Sequence, residues 1–278
     1  MISVVVPAHN EGSVIARTLV NMVDGAEPDE LEVVVVCNGC NDNTADVARK
    51  FGPPVRVIES EIASKVHALN LGDQAASGFP RIYVDADVVF TLEAIRTLAS
   101  RLQIGDVLLA APSPSVELTG CSSLVRAFYE IRSHMPSVRE GVGGSGVYGL
   151  SKAGRSRFDK FPSIVGDDIF VRGQFDKEER ETLQSITSTV FAPRRIKELI
   201  AIRSRIYYGN AEFARLYPYL RKNKGGGNYR ALVKLLRRPA LWAKIGIYVY
   251  VNLRAAAKCR LRSGTFVWYH DATSRSVC

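Results

Sequence analysis

The sequence predicts an α/β fold: a doubly wound, mostly parallel sheet flanked by helices, followed by a basic helical extension toward the C-terminus. Three observations predict it. Short apolar runs rich in valine and isoleucine stand at residues 2–6, 31–36, 55–58, 81–84 and 106–111, the length of buried strands. Stretches with helical spacing of apolar residues alternate with them, and that alternation implies right-handed crossovers onto a parallel sheet. The polar residues gather in the loops after the strands, which in an open parallel sheet share the edge where ligands bind. With 278 residues, 46% of them hydrophobic and 23% charged, the chain is long enough for one large α/β domain plus an appendage. It has neither the bias of a disordered segment nor an internal repeat.

The first strand ends at Pro7, which cannot donate to a sheet ladder. The loop Ala8-His9-Asn10-Glu11-Gly12 then leads into a helix that Ser13 is placed to cap, with Ile15, Leu19, Met22 and Val23 on its apolar face. A second unit repeats the arrangement: strand 31–36, a polar loop from Cys37 to Thr44, and a helix to about residue 51 capped by Asp42 or Thr44. Pro53-Pro54 separates it from strand 55–58. A helix over 64–76 turns Val66, Leu69 and Ala76 inward and carries Lys65 in its first turn. A lysine there opposes the helix dipole unless an anion such as a phosphate sits beside it; the plain alternative is a solvated side chain.

Strand 81–84 opens into Asp85-Ala86-Asp87. Two carboxylates one residue apart, where a strand meets a loop, form a hard-oxygen site of the kind magnesium or manganese accepts, with positions left for a substrate's phosphates. Alone the motif is short, and a strand-end aspartate followed by a turn aspartate explains it equally. A helix over 92–102 and a strand over 106–111 follow. The run from Gly141 to Gly149 contains Gly144-x-Gly146-x-x-Gly149, which matches a dinucleotide fingerprint in letters but not in place. It reads as a flexible loop that lets backbone approach a ligand. Asp167-Asp168 opens the next helix; one aspartate serves as a cap, and a general base is the natural use of the other.

The net charge of +9 is divided unevenly: residues 1–193 carry 18 Lys/Arg against 25 Asp/Glu, and residues 194–262 carry 18 against Glu198 and Glu212 alone. A basic helix over 196–216, a linker over 221–227 and a helical stretch over 229–262 hold this excess. In the last, Leu232, Leu235, Leu236, Trp242, Ile245, Tyr248 and Tyr250 interleave with Lys234, Arg237, Arg238, Lys244, Arg254 and Lys258. Such a segment suits the surface of an anionic membrane or, equally, packing on its own domain with a basic outer face. The five cysteines are odd in number and scattered, and Cys37-x-x-Cys40 lacks a second half, so reduced thiols in a cytosolic protein are expected. The chain begins on an apolar strand without a signal-peptide layout, and its longest apolar stretch, 240–251, is shorter than the ~20 residues of a spanning helix.

Taken together, these pieces resemble the family-2 glycosyltransferases of the GT-A fold. Val5-Val6-Pro7-Ala8-His9-Asn10-Glu11 resembles the family's P-x-x-N-E strand and loop. Asn38-Gly39-Cys40-Asn41-Asp42-Asn43-Thr44 resembles D-D-G-S-x-D-x-T, and Lys65 to Gly72 resembles K-x-x-A-L-N-x-G. Asp85-Ala86-Asp87 stands for D-x-D and Asp167-Asp168 for the E-D pair. The resemblance implies a GT-A domain over 1–220, with a donor half at 1–115 and an acceptor half at 116–220, and a basic extension over 221–278. It implies that Pro7, Ala8, Asn10, Glu11 and Asn38 line the nucleotide pocket, that Lys65 and Asn70 hold base and ribose, and that Asp85, Ala86 and Asp87 hold ribose and a Mg2+- or Mn2+-bound diphosphate. Arg203 or Arg205 would close on the diphosphate, and Asp168, beside Asp167, would deprotonate an acceptor hydroxyl for inverting transfer of one sugar.

The sequence also departs from the pattern. Cys37 and Asn38 replace the loop's usual aspartates, which leaves the choice of base open. The Q-x-x-R-W motif of processive synthases is absent after Asp168, favouring single transfer. His270 is a candidate third metal ligand or a surface imidazole. The expected partners are a nucleotide-diphosphate sugar and a hydroxyl acceptor, lipid-linked or saccharide, in polysaccharide or envelope glycoconjugate synthesis, at the inner face of the cell membrane. Nucleic acid is not expected. The competing reading is a non-catalytic nucleotide-sugar or nucleic-acid binder using the basic C-terminal helices, which has no need of Asp168.

Overall fold

A computed structural model describes residues 1–139, 142, 144–223 and 228–261. The donor-side units follow the sequence closely: β1 (Ile2–Ala8), α1 (Ile15–Val23), β2 (Leu31–Asn38), α2 (Thr44–Arg49), β3 (Val55–Ser60), α3 (Lys65–Ala75), β4 (Arg81–Val84) and α4 (Leu92–Gln103). After them come β5 (Leu109–Glu117), α5 (Ser123–Ser133), α6 (Pro136–Arg139), β6 (Val147–Leu150), α7 (Lys152–Arg155), α8 (Asp167–Gly173) and β7 (Arg180–Phe191). The chain continues through α9 (Ile196–Leu216), α10 (Tyr229–Leu235) and α11 (Trp242–Arg260).

The strands pair in the order β3-β2-β1-β4-β6-β5-β7. All neighbours run parallel except β6, which is antiparallel to both β4 and β5. β1 is buried along its whole length, and the pleat sends Val4 and Val6 to one face of the sheet and Val5 to the other. The first face packs against α1 and α4 through Ile15, Leu19, Ile95 and Leu98; the second packs against α3 and α8 through Leu69 and Phe170. A Cβ at Gly72 would stand 2.4 Å from Val5 Cγ1, so α3 lies directly on the sheet and its first turn is fixed over the strands' C-terminal edge.

The back of α3 is tied by an ionic knot. Asp73 Oδ1 accepts from Arg81 Nη1 at 2.7 Å and from the Tyr83 hydroxyl at 2.5 Å, and its Oδ2 accepts from Arg155 Nη2 at 2.6 Å and Nε at 3.0 Å. Three elements, α3, β4 and α7, thus share one carboxylate.

Several elements differ from expectation. The glycine run is not a loop throughout: Val147 to Leu150 form β6, buried in mid-sheet, where Tyr148 stacks on Tyr83 at 4.9 Å. Helix α5 lies outside the elements that periodicity singled out, although Val125, Phe128 and Ile131 give it a buried stripe. The helical stretch over 229–262 is two helices, broken where Arg238 precedes Pro239 and leaves helical geometry. Helix α1 starts at Ile15 with Val14 as its N-cap, and Ser13 makes no cap bond. Helices α5, α9 and α11 pack together around Phe128, Leu199 and Val251. Among the described residues no helix is long and apolar enough to cross a membrane.

Candidate functional site

The loops at the C-terminal edge are laced to one another before any ligand is considered. Asn10, at φ +54°, accepts from the Asn41 amide through Oδ1 at 2.8 Å. Glu11 donates its amide to Thr44 Oγ1, and Gly12 donates to Asp42 Oδ2. Cys40 Sγ bridges the same loops, taking the Asn10 amide and reaching the Ala8 carbonyl. Cys37 is buried in the core, where burial and the neighbouring Cys40 and Glu59 push its thiol up to about 12, so it stays an inert thiol.

Asp85-Ala86-Asp87 is held from three sides. Asp85 donates its amide to the Gly146 carbonyl at 2.8 Å; Thr18 Oγ1 of α1 donates to the Ala86 carbonyl at 2.8 Å; and Arg17 Nη2 lies 3.5 Å from the Asp87 carbonyl. Arg17 is stacked 3.7 Å over the ring of Phe191, which aims its guanidinium at this turn. Gly146, at φ +66°, has no room for a side chain: a Cβ would sit 2.5 Å from Val88 Cγ2 and 3.3 Å from Asp85 Oδ2.

Lys65 sits at the centre. Its Nζ lies 2.7 Å from Asp85 Oδ1 and 3.2 Å from Asp167 Oδ1, joining α3, β4 and α8. Burial disfavours its charge, but Asp167 and Asp85 outweigh that and hold its pKa above the ordinary lysine range. Burial pushes the Asp167 carboxyl up against the pull of Lys65, with Asp168 and Asp85 adding to the rise. Tyr148, its hydroxyl 3.5 Å from Asp167 Oδ2, stays protonated because burial and that carboxylate raise its pKa well above normal. Asp168 is exposed, beside this cluster, and its charge acts on Lys65, Asp167 and Tyr148. Lys65 thus serves Asp85 and Asp167, while the charge of Asp168 also acts on Arg172.

The donor set fits a divalent cation of the magnesium or manganese type. Among the described residues no three His, Cys, Asp or Glu side chains converge into a closed cage. Such an ion characteristically takes one or two carboxylates and completes its shell with substrate phosphates and water. Asp85 pairs with Lys65 and the charge of Asp87 acts on Arg17, so both carboxylates of the turn sit beside a cationic side chain.

Other expected residues fall elsewhere. The Asn70 amide is spent on the main chain of Phe161, donating to its carbonyl at 3.0 Å and accepting from its amide at 2.9 Å, so it fastens a loop rather than a ribose. Asn38 is buried and donates to the Ala8 carbonyl, while its buried Oδ1 has no hydrogen-bond partner among the described residues. Arg203 bonds Asn252 Oδ1 at 2.8 Å and lies over Phe128 and Tyr207; it contacts neither Asp85 nor Asp87. Two residues on, Arg205 turns to the face of α9 that carries Gly209 and Glu212, which meet Gly166 and Val165 just before Asp167. His270 lies outside the described residues. Pro7 and Ala8 are buried at the end of β1. Tyr148, Arg17 and Thr18 escaped sequence reasoning; the only hint was an aromatic residue inside the glycine run.

The sheet order, the edge that gathers the acidic residues and the paired helical faces define a GT-A fold. The same overall structure is seen in the mannosyltransferase PcManGT of Pyrobaculum calidifontis, solved with GDP-Man and Mn2+, at a TM-score of 0.64 and 18% identity over 94% of this chain and 87% of that one. Residues 3–136 match the model of glycosyl transferase family 2, and this part of the chain belongs to that family. It is 36% identical over 94 residues to the probable glycosyltransferase YdaM of Bacillus subtilis, covering 31% of this chain and 22% of that protein. It is 26% identical over 192 residues to the 4,4'-diaponeurosporenoate glycosyltransferase of Staphylococcus aureus, covering 66% and 48%. The chain thus spans no more than about half the length of these curated relatives.

Proposed function

We propose that the protein is an inverting glycosyltransferase that moves one sugar from a nucleotide-diphosphate sugar to a hydroxyl of a separate acceptor. The observation that carries this reading is the Lys65 bridge, which brings the strand-end aspartate of β4 and the acidic pair of α8 into one cluster. Donor chemistry and acceptor chemistry then meet at a single point. That the mannosyltransferase of the same fold was solved in complex with GDP-Man and Mn2+ supports it.

The roles follow from position. The loops from Pro7 to Glu11 and at Asn38 would form the floor for the nucleoside. Asp87, with Asp85 behind it, would hold a magnesium or manganese ion, which supplies charge neutralisation to the departing diphosphate. The Asp168 carboxylate takes the proton of the acceptor hydroxyl, whose oxygen forms a bond to C1 as the C1–O bond to the diphosphate breaks. The nucleoside diphosphate leaves and the anomeric configuration inverts. Lys65 and Tyr148 fix Asp167, and Asp167 fixes the turn that presents Asp168.

The acceptor reading extends to a membrane. On α10 and α11, Tyr229, Trp242, Tyr250 and Leu253 are exposed beside Lys234, Arg237, Arg238 and Lys258. Apolar side chains flanked by cations suit the surface of an anionic bilayer and a lipid-linked acceptor. Sedimentation with anionic but not neutral vesicles, lost in Trp242→Glu/Leu253→Glu, tests this part.

A thermal-shift screen of nucleotide sugars tests the main reading, since a ligand that binds only the folded state raises its melting temperature. A rise with one nucleotide sugar that requires manganese is expected. No response to any uridine or guanosine diphosphate sugar overturns it.

A further inference from the structure

We propose that Arg17 is a positioning residue of the Asp85-Ala86-Asp87 turn whose charge, held beside Asp87, keeps the turn from taking up a divalent cation alone, so that the ion binds together with the diphosphate. The proposal rests on the reading of Asp87 as a ligand of a metal-bound diphosphate.

The guanidinium of Arg17, on the first turn of α1, is pinned from two sides. It lies 3.7 Å over the ring of Phe191, the last residue of β7, and its Nη2 stands 3.5 Å from the Asp87 carbonyl. Phe191 is itself placed against the turn. Val89 and Thr189 exchange backbone hydrogen bonds of 3.0 and 2.8 Å, tying the chain just past Asp87 to β7 two residues before the ring. The next residue of α1, Thr18, donates to the Ala86 carbonyl at 2.8 Å. Helix, turn and strand are thus joined, and the guanidinium is held at the turn rather than swept through solvent.

Charge separates Arg17 from a simple clasp. The side chain is half-buried, and burial draws its pKa below the ordinary arginine value while the charge of Asp87 acts in the other direction. Lys65 Nζ lies 2.7 Å from Asp85 Oδ1, so each carboxylate of the turn has a cation at hand. A divalent ion reaching the bare turn therefore meets two compensated anions and two cations that repel it. A unit charge about 6 Å from a divalent ion weakens its binding about tenfold, even at the dielectric of water. The diphosphate of a nucleotide reverses the balance. Its oxygens bring the negative charge the turn lacks and are attracted by the same two cations. Ion and nucleotide then favour each other, and by linkage each raises the affinity for the other by one common factor.

The experiment measures Mn2+ binding by calorimetry and by the paramagnetic resonance of the free ion, first without nucleotide and then with UDP or GDP. It compares the parent chain with Arg17→Met and Arg17→Gln, which remove the charge, Arg17→Lys, which keeps it, and Arg17→Met/Asp87→Ala. Melting temperatures establish that each is folded; Arg17→Gln, which still offers the Asp87 carbonyl a donor, decides the matter if Arg17→Met is not. The expected result is that Mn2+ alone binds the neutral variants about tenfold more tightly than the parent. Arg17→Lys should behave as the parent, and the gain should vanish with Asp87→Ala. A residue that only clasps the turn gives a loss on removal, not a gain. Unchanged or weaker Mn2+ affinity in the folded neutral variants overturns the proposal, as does a gain that survives Asp87→Ala. Metal-free nucleotide binding that collapses in those variants while Mn2+ affinity stays the same also overturns it, and makes Arg17 a phosphate ligand. If Mn2+ binds no form, with or without either nucleotide, the metal reading of the turn fails and this proposal with it. Nucleotide-dependent Mn2+ binding in the parent without the gain in the neutral variants defeats the proposal alone.

Discussion

The ammonium of Lys65 lies 2.7 Å from Asp85 Oδ1, joining the first turn of α3 to the end of β4, and it reaches Asp167 on α8 from the same position. Removing it leaves Asp167, whose side chain is 7% exposed, without its cation. Lys65→Met is therefore expected to lower stability by about 3–5 kcal/mol, as breaking a buried pair does. Adding Asp167→Asn to that variant should return part of the stability but not sugar transfer. Urea midpoints and a transfer assay check both, and undiminished transfer in Lys65→Met contradicts the role given to the bridge.

The Asp73 knot should show itself as a pH dependence. Burial works against its charge, but the bonds from Arg155, Tyr83 and Arg81 outweigh it and hold the carboxyl below its usual range. A folded pKa below the unfolded one adds stability that is present above the unfolded value, about 3.9, and is lost as pH falls through the folded one. Asp73→Asn should thus flatten the acid limb of the stability curve below about pH 4. At neutral pH it should cost about 3 kcal/mol or more, read from urea midpoints. An acid limb that keeps its shape contradicts the assignment.

Asn70 separates fold from function. Both ends of its amide are used on Phe161, so Asn70→Ala should cost about 1–3 kcal/mol of stability. Its nucleotide affinity, measured well below the melting temperature, should match that of the parent. A variant of normal stability with tenfold weaker nucleotide binding reverses that conclusion and restores the sugar-side role the motif implies.

Asp168→Asn retains shape and removes the base. Transfer should fall by a factor of about 10²–10⁴ while nucleotide affinity stays close to that of the parent. A purely binding protein is indifferent to the change, so measuring turnover and affinity on the same sample distinguishes the two classes.

Much of the donor half was legible in the sequence because each element there carries its own signal. The strands at 31–36 and 81–84 are continuous apolar runs, and the helix over 64–76 was flagged by the wrong sign of Lys65 for its dipole. What resolved that sign lay far off in the chain: Asp85 and Asp167 approach Lys65 only through the sheet order, which local pattern does not encode. β6 was hidden because a four-residue strand buried between two neighbours needs no alternation, and its Gly149 lies against Leu98 and Leu102 where a larger residue would collide. Asn70 and Arg203 show the limit of motif matching, since a residue type at the right place says nothing about which group reaches it first. Arg203 and Arg205 stand about 200° apart on a helix, so the sequence already held that they face different surroundings.

The most direct test of the central claim is manganese-dependent sugar transfer in the parent and in Asp87→Ala, with nucleotide-sugar affinity measured beside it. The account predicts that the parent transfers sugar only with the divalent ion, and that Asp87→Ala loses transfer by at least a hundredfold. Its residual donor binding should no longer respond to manganese, while its melting temperature stays within a few degrees. A folded Asp87→Ala variant that transfers sugar at the parental rate, or binds the donor with the same manganese dependence, contradicts it.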